Sequence, residues 1–411
     1  PMTILARAQV LLASRNLLRH RSRTAATITA IGIGVACMIL AGGFVKDIFI
    51  QLGEATIHSQ TGHIQLARQG FWAARSRASD MYMIDKPDEL KKNLAGLSGL
   101  EQVVARVNFV GMLNNGKRDL GIIGDGIEPD GEAKIGSFMH YIEGRALTNG
   151  DKDGMVIGQG IAKSLNLKIG DHITLVVNLS KGAINTMDFQ IVGIFQSFSK
   201  EFDARAVRIP LVAAQELLDT RAVHLLVMTL QQTEDTDRIA STVEKVVLNG
   251  NIEVMTWKSL SDFFEKTVQL YDAQFGVLRL IISLMVLLSV ANSINMTLFE
   301  RTREFGTLLA LGDRPKAVVV LIMTEAALLG LIGAIIGMIF GCIAAWTISA
   351  IGIEMPPPPN SNLGYMALIR LEPTSVLTSG AIGFCATFLA SIFPAFKTAK
   401  LNIVDALRHG V

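Results

Sequence analysis

The sequence has few of the residues that build disulfide scaffolds, metal centres or nucleic-acid sites. Its 411 residues include only 3 cysteines and 7 histidines. Cys37, Cys342 and Cys385 all lie inside long apolar runs, so no disulfide framework is expected. The histidines are scattered and show no metal-ligand spacing. A formal net charge of +2 leaves no excess of basic residues for a nucleic acid.

Charged residues are also scarce, and they are missing mainly from particular stretches. They make up 18% of the chain, whereas hydrophobic residues make up 50%. A soluble domain has roughly 25% charged residues. The apolar excess falls in four runs, each long enough for the roughly 20 residues that a helix needs to cross a bilayer. The sequence therefore predicts four transmembrane helices, at residues 24–47, 272–299, 317–351 and 374–396.

The first run is longer than the apolar core of a signal peptide, and its small residues are spread along its whole length. We therefore interpret it as a retained membrane anchor. We take Met2 as the natural start and Pro1 as an added residue.

Lysine and arginine residues near the span ends predict the orientation of the helices. Residues 1–23 carry five arginines and no acidic residue. The segments 300–316 and 397–411 are also basic, whereas the short loop before the fourth span has only Arg370. We therefore expect the three basic segments and both termini to face the cytoplasm, with residues 48–271 on the other side.

Residues 48–271 are numerous enough to form a domain with its own core. Apolar periodicity predicts two β-α-β patterns. The first has strands at residues 63–67 and 103–109 with a helix that opens at residues 87–90, and the second lies at residues 225–230, 236–248 and 252–257. Turn-rich strands lie between them, at residues 154–157, 173–177, 189–195 and 207–211. The expected fold class is a four-helix membrane protein with an α+β outer domain, in which a β-rich part is inserted into a split β-α-β part. A short outer loop is expected at residues 352–373. Helical stalks at residues 46–59 and 259–274 continue the first two spans, and ordinary linkers are the alternative.

Two glycine-rich segments suggest nucleotide binding but do not satisfy its requirements. Gly111–Arg118 is one residue away from the phosphate-loop pattern, and it lacks the hydroxyl residue that would bind magnesium. Asn115 and Gly116 between alternating runs predict a hairpin turn instead. The segment 158–163 has lysine in place of the third glycine of a dinucleotide fingerprint. We therefore expect no cofactor, no metal, no catalytic residues and no enzymatic activity on this chain.

Polar residues inside membrane spans are functional candidates. Glu325 in the third span is compatible with a transport role and equally with an interfacial or packing role. Asn292 and Asn295 in the second span are compatible with interhelical hydrogen bonding or with transmission of motion. A close-packing face is formed by Gly330, Gly333 and Gly337. Its expected partner is another helix, either of this chain or of a second copy.

The segment between the second and third spans carries the most specific pattern. Glu300-Arg-Thr-Arg-Glu-Phe-Gly306 leads to Ala-Leu-Gly312 and then to a glycine-rich span. It resembles the signature of the FtsX/MacB/LolC-LolE permease superfamily, and residues 15–24, 153–171 and 394–408 resemble other parts of that family. The resemblance implies a type VII ABC transporter permease that works by mechanotransmission. A separate cytoplasmic ATPase dimer, which holds ATP and magnesium, would move the periplasmic domain through this segment.

The resemblance also implies a coupling helix at residues 300–316 that sits on the ATPase. Its residues are Glu300, Arg301, Arg303, Glu304, Phe305, Gly306, Leu308, Leu309 and Gly312. The charged residues would pair with the partner, and an apolar face would be formed by Phe305, Leu308 and Leu309. A solvated loop with no partner is the alternative.

Length and layout most resemble the LolC/LolE type, which releases lipoproteins from the inner membrane of bacteria. This resemblance implies an inner-membrane location, contact with membrane lipids, and a second permease copy or a paralogue as partner. The sequence leaves open whether a periplasmic lipoprotein carrier is a partner. The loop 178–186 lies in a suitable place to bind a carrier, but it has no stiffening proline. MacB-like export of peptides or amphiphiles is the alternative function, and a non-transporting transmembrane sensor is a hypothesis of another class.

Overall fold

The structure, a computed structural model, describes residues 12–17, 19, 21–73, 80–179, 182–247, 250–312, 314–357 and 364–399. The first part of the predicted cytoplasmic segment and most of the predicted tail, including the resemblance after residue 399, lie outside these residues. The chain divides into two compact units. The membrane unit comprises Pro1–Phe49, Val268–Ile353 and Met366–Val411, and the outer unit comprises Ile50–Thr267 and Glu354–Tyr365.

The helices and strands are numbered in chain order. The helices are α1 Arg21–Thr56, α2 Pro87–Leu94, α3 Pro129–Ile135, α4 Gln159–Leu165, α5 Lys200–Asp203, α6 Leu211–Leu217, α7 Thr236–Val247, α8 Trp257–Leu260, α9 Asp262–Glu300, α10 Thr302–Ala310, α11 Pro315–Ile351 and α12 Pro373–Ala399. The strands are β1 Ile64–Arg68, β2 Leu100–Asn114, β3 Asp119–Ile127, β4 His140–Gly144, β5 Gly154–Gly158, β6 His172–Asn178, β7 Ile184–Gln196, β8 Ala206–Pro210, β9 Leu225–Leu230, β10 Ile252–Thr256, β11 Ile353–Met355 and β12 Tyr365–Ala367.

Within the described residues, α1, α9, α11 and α12 are long and apolar enough to cross a membrane, which confirms the four predicted spans. α1 continues beyond its predicted span to Thr56, and α9 begins before its predicted span at Asp262. Neither helix contains a proline that would interrupt its hydrogen bonds. A π-helical turn, Ile57–Thr61, extends α1 further. The helical continuations expected at these two places are therefore present.

Apolar side chains from the membrane helices form the core of the membrane unit. Ile31 and Val35 of α1 belong to the same buried cluster as Val286 and Val290 of α9 and Ile322 of α11. These residues recur every three or four positions, so each helix buries one stripe and leaves the remaining faces uncovered.

The outer unit contains one ten-stranded sheet. β9 lies between β1 and β2, and β1 lies between β9 and β10, with every neighbouring pair antiparallel. Because α2 connects β1 to β2 and α7 connects β9 to β10, two β-α-β units interleave. This is the split β-α-β arrangement that the sequence predicts.

The inserted β-rich part closes into a six-stranded barrel. β2 pairs with β3 at one edge and with β6 at the other, and the ring is completed through β8, β5 and β7. The first half of β2 pairs with β9, so this one strand belongs to both parts of the domain. Phe109, Phe189 and Ile191 are buried in the core of the domain. Closure removes the unpaired strand edges that an open sheet would leave, and it was not predicted from the sequence.

The segment that resembles a phosphate loop forms a hairpin turn, as the sequence predicts. β2 and β3 are antiparallel partners, with Asn114 opposite Asp119. Gly116 adopts a φ of +80°, which favours glycine. The side-chain oxygen of Asn115 accepts hydrogen bonds from the next two backbone N–H groups after Gly116.

Buried charges of the outer unit hold the π-helical turn at the end of α1. Arg106 Nη1 donates to the carbonyl oxygen of Gln60, and Arg208 Nη2 donates to that of Ser59 at 2.8 Å. Glu132 accepts from Arg106 Nε and Nη2, and its carboxylate lies 3.7 Å from Arg208 Nη1. The three charged residues are at most 3% exposed. The two guanidinium groups exceed the one carboxylate by one positive charge, and the carbonyl oxygens at the helix end help to offset it.

Replacing Glu132 with glutamine should lower the free energy of unfolding of the outer unit by about 3–5 kcal/mol, because two buried guanidinium groups lose their counter-charge. Burial alone would raise the pKa of Glu132, but Arg106 and Arg208 hold that pKa below its usual value, so the carboxylate is charged at neutral pH. The measurement is urea unfolding of the full chain in detergent, followed by tryptophan fluorescence. The exposed Glu143→Gln variant is the control and should change stability by no more than about 0.5 kcal/mol. An equal loss in both variants would contradict the structural role of Glu132.

His63 follows the π-helical turn and is buried as a neutral imidazole. Its Nδ1 accepts a hydrogen bond from the Leu230 N–H at 3.2 Å, and its Nε2 lies 3.0 Å from Thr233 Oγ1. Thr233 Oγ1 donates in turn to Glu54 Oε1 at 2.7 Å. Burial lowers the pKa of His63 to about 4, with His58 lowering it further and Glu54 opposing the change.

The lowered pKa of His63 should make the outer unit sensitive to acid. The unfolded chain binds the proton near the ordinary pKa of 6.5, whereas the folded chain does so only near 4. The neutral imidazole therefore makes its full contribution to the free energy of unfolding above pH 6.5. That contribution, about 3 kcal/mol, is lost as the pH falls to about 4. The His63→Asn variant keeps an acceptor for the Leu230 N–H and cannot titrate. Urea unfolding at several pH values should show that the free energy of unfolding depends less on pH in this variant than in the parent chain. An identical pH dependence in both would disprove that His63 causes the sensitivity to acid.

Candidate functional site

The predicted coupling segment lies in the membrane unit, between the end of α9 and the start of α11. α9 ends at Glu300, and α10 covers Thr302–Ala310. Gly312 ends this stretch with a φ of +99°, which glycine adopts most easily. Pro315 is the first residue of α11, a position where proline is favoured because no N–H is needed. Local sequence therefore determines a short helix between two long ones.

Arg301 lies at the centre of this segment and is only 6% exposed. Its Nη1 is 3.0 Å from Glu325 Oε2, and its Nε donates to Glu304 Oε2 at 2.9 Å. The guanidinium carbon lies 5.0 Å from the ring centre of Phe305. One arginine therefore connects the start of α10 to a carboxylate two turns or more inside α11.

Two further arginines, from the chain at the start of α1, bind the same segment. Arg19 Nη1 donates to Glu304 Oε1 at 2.9 Å. Arg23 binds both carboxylate oxygens of Glu300, each at 2.6 Å, and such bidentate pairs are strong and directional. In the sequence these arginines predict only the orientation of the spans. The sequence also contains a signal for the ion pairs, because an acid-free run of arginines precedes the first span and the predicted coupling segment carries Glu300 and Glu304.

A small cavity of about 40 Å³, lined by both polar and apolar side chains, adjoins the ion pairs. Asn16 Nδ2 donates to Glu325 Oε1 at 2.6 Å, and the hydroxyls of Thr27 and Ser293 lie 2.5 Å apart. The cavity is large enough for a water molecule, and its polar lining residues could bind one. Glu325 is thus paired and hydrogen-bonded within the chain, which favours its packing role over a transport role.

Arg301 and Glu304 keep their charges at physiological pH. Burial alone would raise the pKa of Glu304, but Arg301 and then Arg19 lower that pKa below its ordinary value. Burial would lower the pKa of Arg301, but the neighbouring carboxylates raise it overall. The cluster is therefore a permanent structural network. Among the described residues, no group of three or more His, Cys, Asp or Glu side chains could hold a metal ion.

α10 has an inner face and an outer face. Phe305 and Gly306 are buried, and Leu308 and Leu309 pack partly buried against the core of the membrane unit. The outer face and the turn that follows it expose Arg303, Thr307, Leu311, Arg314 and Lys316. Leu311 is 80% exposed, which is unusual for a leucine at the end of a packed helix. We call these five residues the basic face.

This arrangement differs from the expectation for the coupling charges and for the apolar face. Glu300, Arg301 and Glu304 pair within the chain, and Phe305 points into the bundle. The physical reason is that a buried guanidinium group must have a carboxylate partner nearby. Of the predicted coupling charges, only Arg303 has no side-chain bond among the described residues.

The three predicted glycines pack α11 closely against other helices of the same chain. A methyl group at Gly333 would lie 2.8 Å from Ile31 Cβ, and one at Gly337 would lie 2.7 Å from the carbonyl oxygen of Gly32, both in α1. A methyl group at Gly330 would lie 3.1 Å from Thr387 of α12. The chain itself therefore covers this face, and a second copy is not needed to cover it.

Asn292 and Asn295 are both exposed, on the side of α9 that the membrane unit does not cover. Neither side chain has a hydrogen-bond partner in the described part of the chain. The polar residue of this region that does bond to another helix is Ser293, which contacts Thr27 of α1.

Comparison with protein families gives two matches. Residues 24–246 match the MacB-like periplasmic core domain, and residues 276–403 match the FtsX-like permease C-terminal domain. The first match covers the whole predicted first span and most of the outer unit, and the second covers most of the remaining three spans with the coupling segment.

Several curated proteins are similar to this chain at low identity. An uncharacterized ABC transporter permease of Methanocaldococcus jannaschii is 26% identical over 55% of this chain and 56% of its own length. The lipoprotein-releasing system transmembrane protein LolC of Xylella fastidiosa is 22% identical over 60% of this chain and 62% of its own. The macrolide export ATP-binding/permease protein MacB of Campylobacter jejuni is 24% identical over 96% of this chain and 60% of its own. The matches thus span 56–62% of the length of these relatives.

The buried and the exposed arginine of the coupling segment should respond differently to loss of charge. Arg301→Met leaves Glu325 buried without its counter-charge and should destabilise the membrane unit by about 3 kcal/mol. Arg303→Met removes an exposed charge and should change stability by about 0.5 kcal/mol or less. Thermal unfolding of both variants in detergent measures the difference. Equal Tm values would show that the Arg301 network does not hold α10 in place.

Proposed function

The chain belongs to the FtsX/MacB/LolC superfamily of ABC transporter permeases, and on this premise we propose that it couples ATP hydrolysis by a separate cytoplasmic ATPase to motion of its outer unit. The observation that carries the proposal is the two-sided character of α10. Its inner face is fixed to the membrane unit by buried ion pairs, while its basic face is free to bind a partner.

The basic face has the chemistry of a docking surface for an acidic groove. Arg303, Arg314 and Lys316 supply exposed positive charges, which would steer and orient an acidic partner. Leu311 supplies an exposed apolar side chain that a pocket in the partner would bury. In this proposal ATP and magnesium are held by that partner, as the resemblance to the family implies.

The fixed inner face gives a physical route for motion. A displacement of α10 acts on Arg301, and Arg301 is bonded to Glu325 of α11 and to Glu304. α10 also adjoins the end of α9, which is one continuous helix from Asp262 to Glu300. Motion at the coupling segment would therefore be passed to the spans as displacement of whole helices, with the cargo handled on the periplasmic side.

Lipoprotein release from the inner membrane is the cargo function that we propose first. It is supported by the likeness to LolC, a transmembrane protein of a lipoprotein-releasing system, and by the overall layout. MacB-like export of peptides or amphiphiles is the second candidate, supported by the likeness to MacB over 96% of this chain. A periplasmic carrier would fit the first function, and the loop between β6 and β7 is its suggested contact. Residues 180 and 181 of that loop lie outside the described residues.

The same proposal includes the location and the remaining partners. The four apolar helices and the match to a periplasmic core domain indicate a multi-pass inner-membrane protein with a periplasmic domain. We propose that both termini face the cytoplasm, as the basic segments predict. The spans contact membrane lipids, and a second permease copy or a paralogue completes the transporter.

Reversing charge on the basic face should abolish assembly with the ATPase. The Arg303→Glu/Arg314→Glu variant keeps the buried network intact, so it should fold like the parent chain. It should lose co-purification with the partner ATPase, because two new negative charges would repel the acidic surface of that partner. This is sharper than reversing Arg301, whose buried position would disturb folding.

The control is Lys117→Glu, an equally exposed charge reversal in the outer unit, which should leave co-purification unchanged. Undiminished assembly of the Arg303→Glu/Arg314→Glu variant would rule out the basic face as the docking surface. If the parent chain binds no ATPase and instead co-purifies with a kinase or cyclase, the chain is a sensor and the transport proposal fails.

A further inference from the structure

A buried carboxylate fixes the segment before α12 to α1, at the point where the first span ends. Asp47 of α1 is 0% exposed. Its Oδ2 accepts a hydrogen bond from the Leu368 N–H, and its Oδ1 accepts one from Arg370 Nε, each at 2.9 Å. The Arg370 N–H donates to the carbonyl oxygen of Gly43 at 3.1 Å. Both the backbone and the side chain of Arg370 are therefore held against α1.

The guanidinium group of Arg370 is oriented, but only part of it is used. Its Nε–H binds Asp47, whereas the N–H groups of Nη1 and Nη2 have no acceptor among the described residues. The side chain is 49% exposed, although that of Asp47 is fully buried. A guanidinium group that is held through Nε presents its two Nη groups as a fork, which matches two oxygens of a phosphate or carboxylate. Arg370 is thus a preorganised anion-binding group.

The position of Arg370 indicates which anion is available to it. Asp47 is the last residue of the first predicted span, and Arg370 lies just before the fourth predicted span, residues 374–396. Both residues therefore lie at one membrane surface, where the hydrocarbon ends and the polar headgroups begin. Every phospholipid carries a phosphate group at this depth.

We propose that Arg370 binds the phosphate group of a phospholipid headgroup and that Asp47 is the residue that orients it. The charges of this region balance, because Lys46 and Arg370 are accompanied by Asp47 and Glu372, with Lys46 Nζ 3.7 Å from Glu372 Oε2. No net positive charge is left to attract anionic lipids in general. Binding therefore depends on the geometry of the fork, and a zwitterionic lipid suits this neutral cluster. The bound lipid would hold the segment, and through Asp47 the end of the first span, at headgroup depth.

Another arginine at the same membrane surface lacks this arrangement. Arg279 lies near the start of the second predicted span, residues 272–299. Its guanidinium carbon is 4.7 Å from the ring centre of Phe275, and no carboxylate among the described residues binds it. Arg279 is therefore a matched control for Arg370. The inference goes beyond the proposed function and requires only that the chain spans a membrane, so either can fail without the other.

Lipid titration of the purified full chain in detergent, followed by native mass spectrometry, tests the site. The ligand is phosphatidylethanolamine, and diacylglycerol with the same acyl chains is the control that lacks the phosphate. Arg370→Lys keeps the charge but loses the fork, so it should weaken phosphatidylethanolamine binding by about fivefold or more. The same exchange in Arg279→Lys should change the affinity by less than about twofold, because no bidentate geometry is lost there. Diacylglycerol should bind weakly, and equally to the parent chain and both variants.

The Asp47→Asn variant separates orientation from charge. It has one negative charge fewer, so simple charge attraction predicts that it binds a phosphate more tightly. Loss of the orienting carboxylate predicts the opposite, with binding weaker by about threefold or more. Thermal unfolding shows whether each variant is folded, and if Asp47→Asn is not, Arg370→Lys carries the test.

Three results would each overturn the proposal. They are unchanged affinity in Arg370→Lys, tighter binding in Asp47→Asn, and diacylglycerol binding as tight as that of phosphatidylethanolamine. Inorganic phosphate is titrated in a separate arm. If it binds the parent chain but not Arg370→Lys, while the affinity for the lipid is the same in both, the site takes a free anion and the lipid proposal fails.

Discussion

Arginine residues hold α1 at both of its ends, through a buried cluster at one end and through an exposed ion pair at the other. In the outer unit, Arg106 and Arg208 reach the last carbonyl groups of the π-helical turn and share Glu132. In the membrane unit, Arg23 at the start of the helix binds Glu300 with two bonds. Apolar burial is non-directional, so it holds a helix in the core without fixing its rotation. Hydrogen-bonded ion pairs are directional, and they therefore fix the rotation of the helix locally at each of these ends.

The same constraint explains why so short a helix as α10 is well ordered. A nine-residue helix is marginal by itself in water, and the flanking turn supplies little apolar contact. Arg301 makes α10 part of a larger structure, because it bonds to Glu304 within the helix and to Glu325 in the next span. Phe305 adds an apolar contact on the same side. The inner face thus holds the helix in place, and the exposed residues of the outer face are not needed for its stability.

Local patterns predicted the elements of this fold, but long-range pairing decided how they combine. The spans and the split β-α-β part follow from apolar runs and periodicity, which act within a few residues. Closure of the barrel depends on β2 pairing with both β3 and β6, a choice that no local pattern encodes. The apolar stripe of α10 was visible, yet its direction depends on the salt bridge between Arg301 and Glu325, which are 24 positions apart and lie in different elements. Pairing partners at such separations are invisible in a single sequence, so the stripe was assigned to an external partner.

Arg301 and Arg303 show how two identical residues acquire opposite roles. Two positions in a helix turn the side chain through about 200°, so one arginine faces the bundle and the other faces outward. A buried pair of the Arg301 type costs about 3–5 kcal/mol to break, whereas an exposed charge of the Arg303 type contributes about 0–1 kcal/mol to the fold. The inner charge is therefore constrained by folding and the outer charge is free for binding. A segment that must transmit motion needs both properties, because a partner can displace the helix only if the helix does not detach from its own chain first.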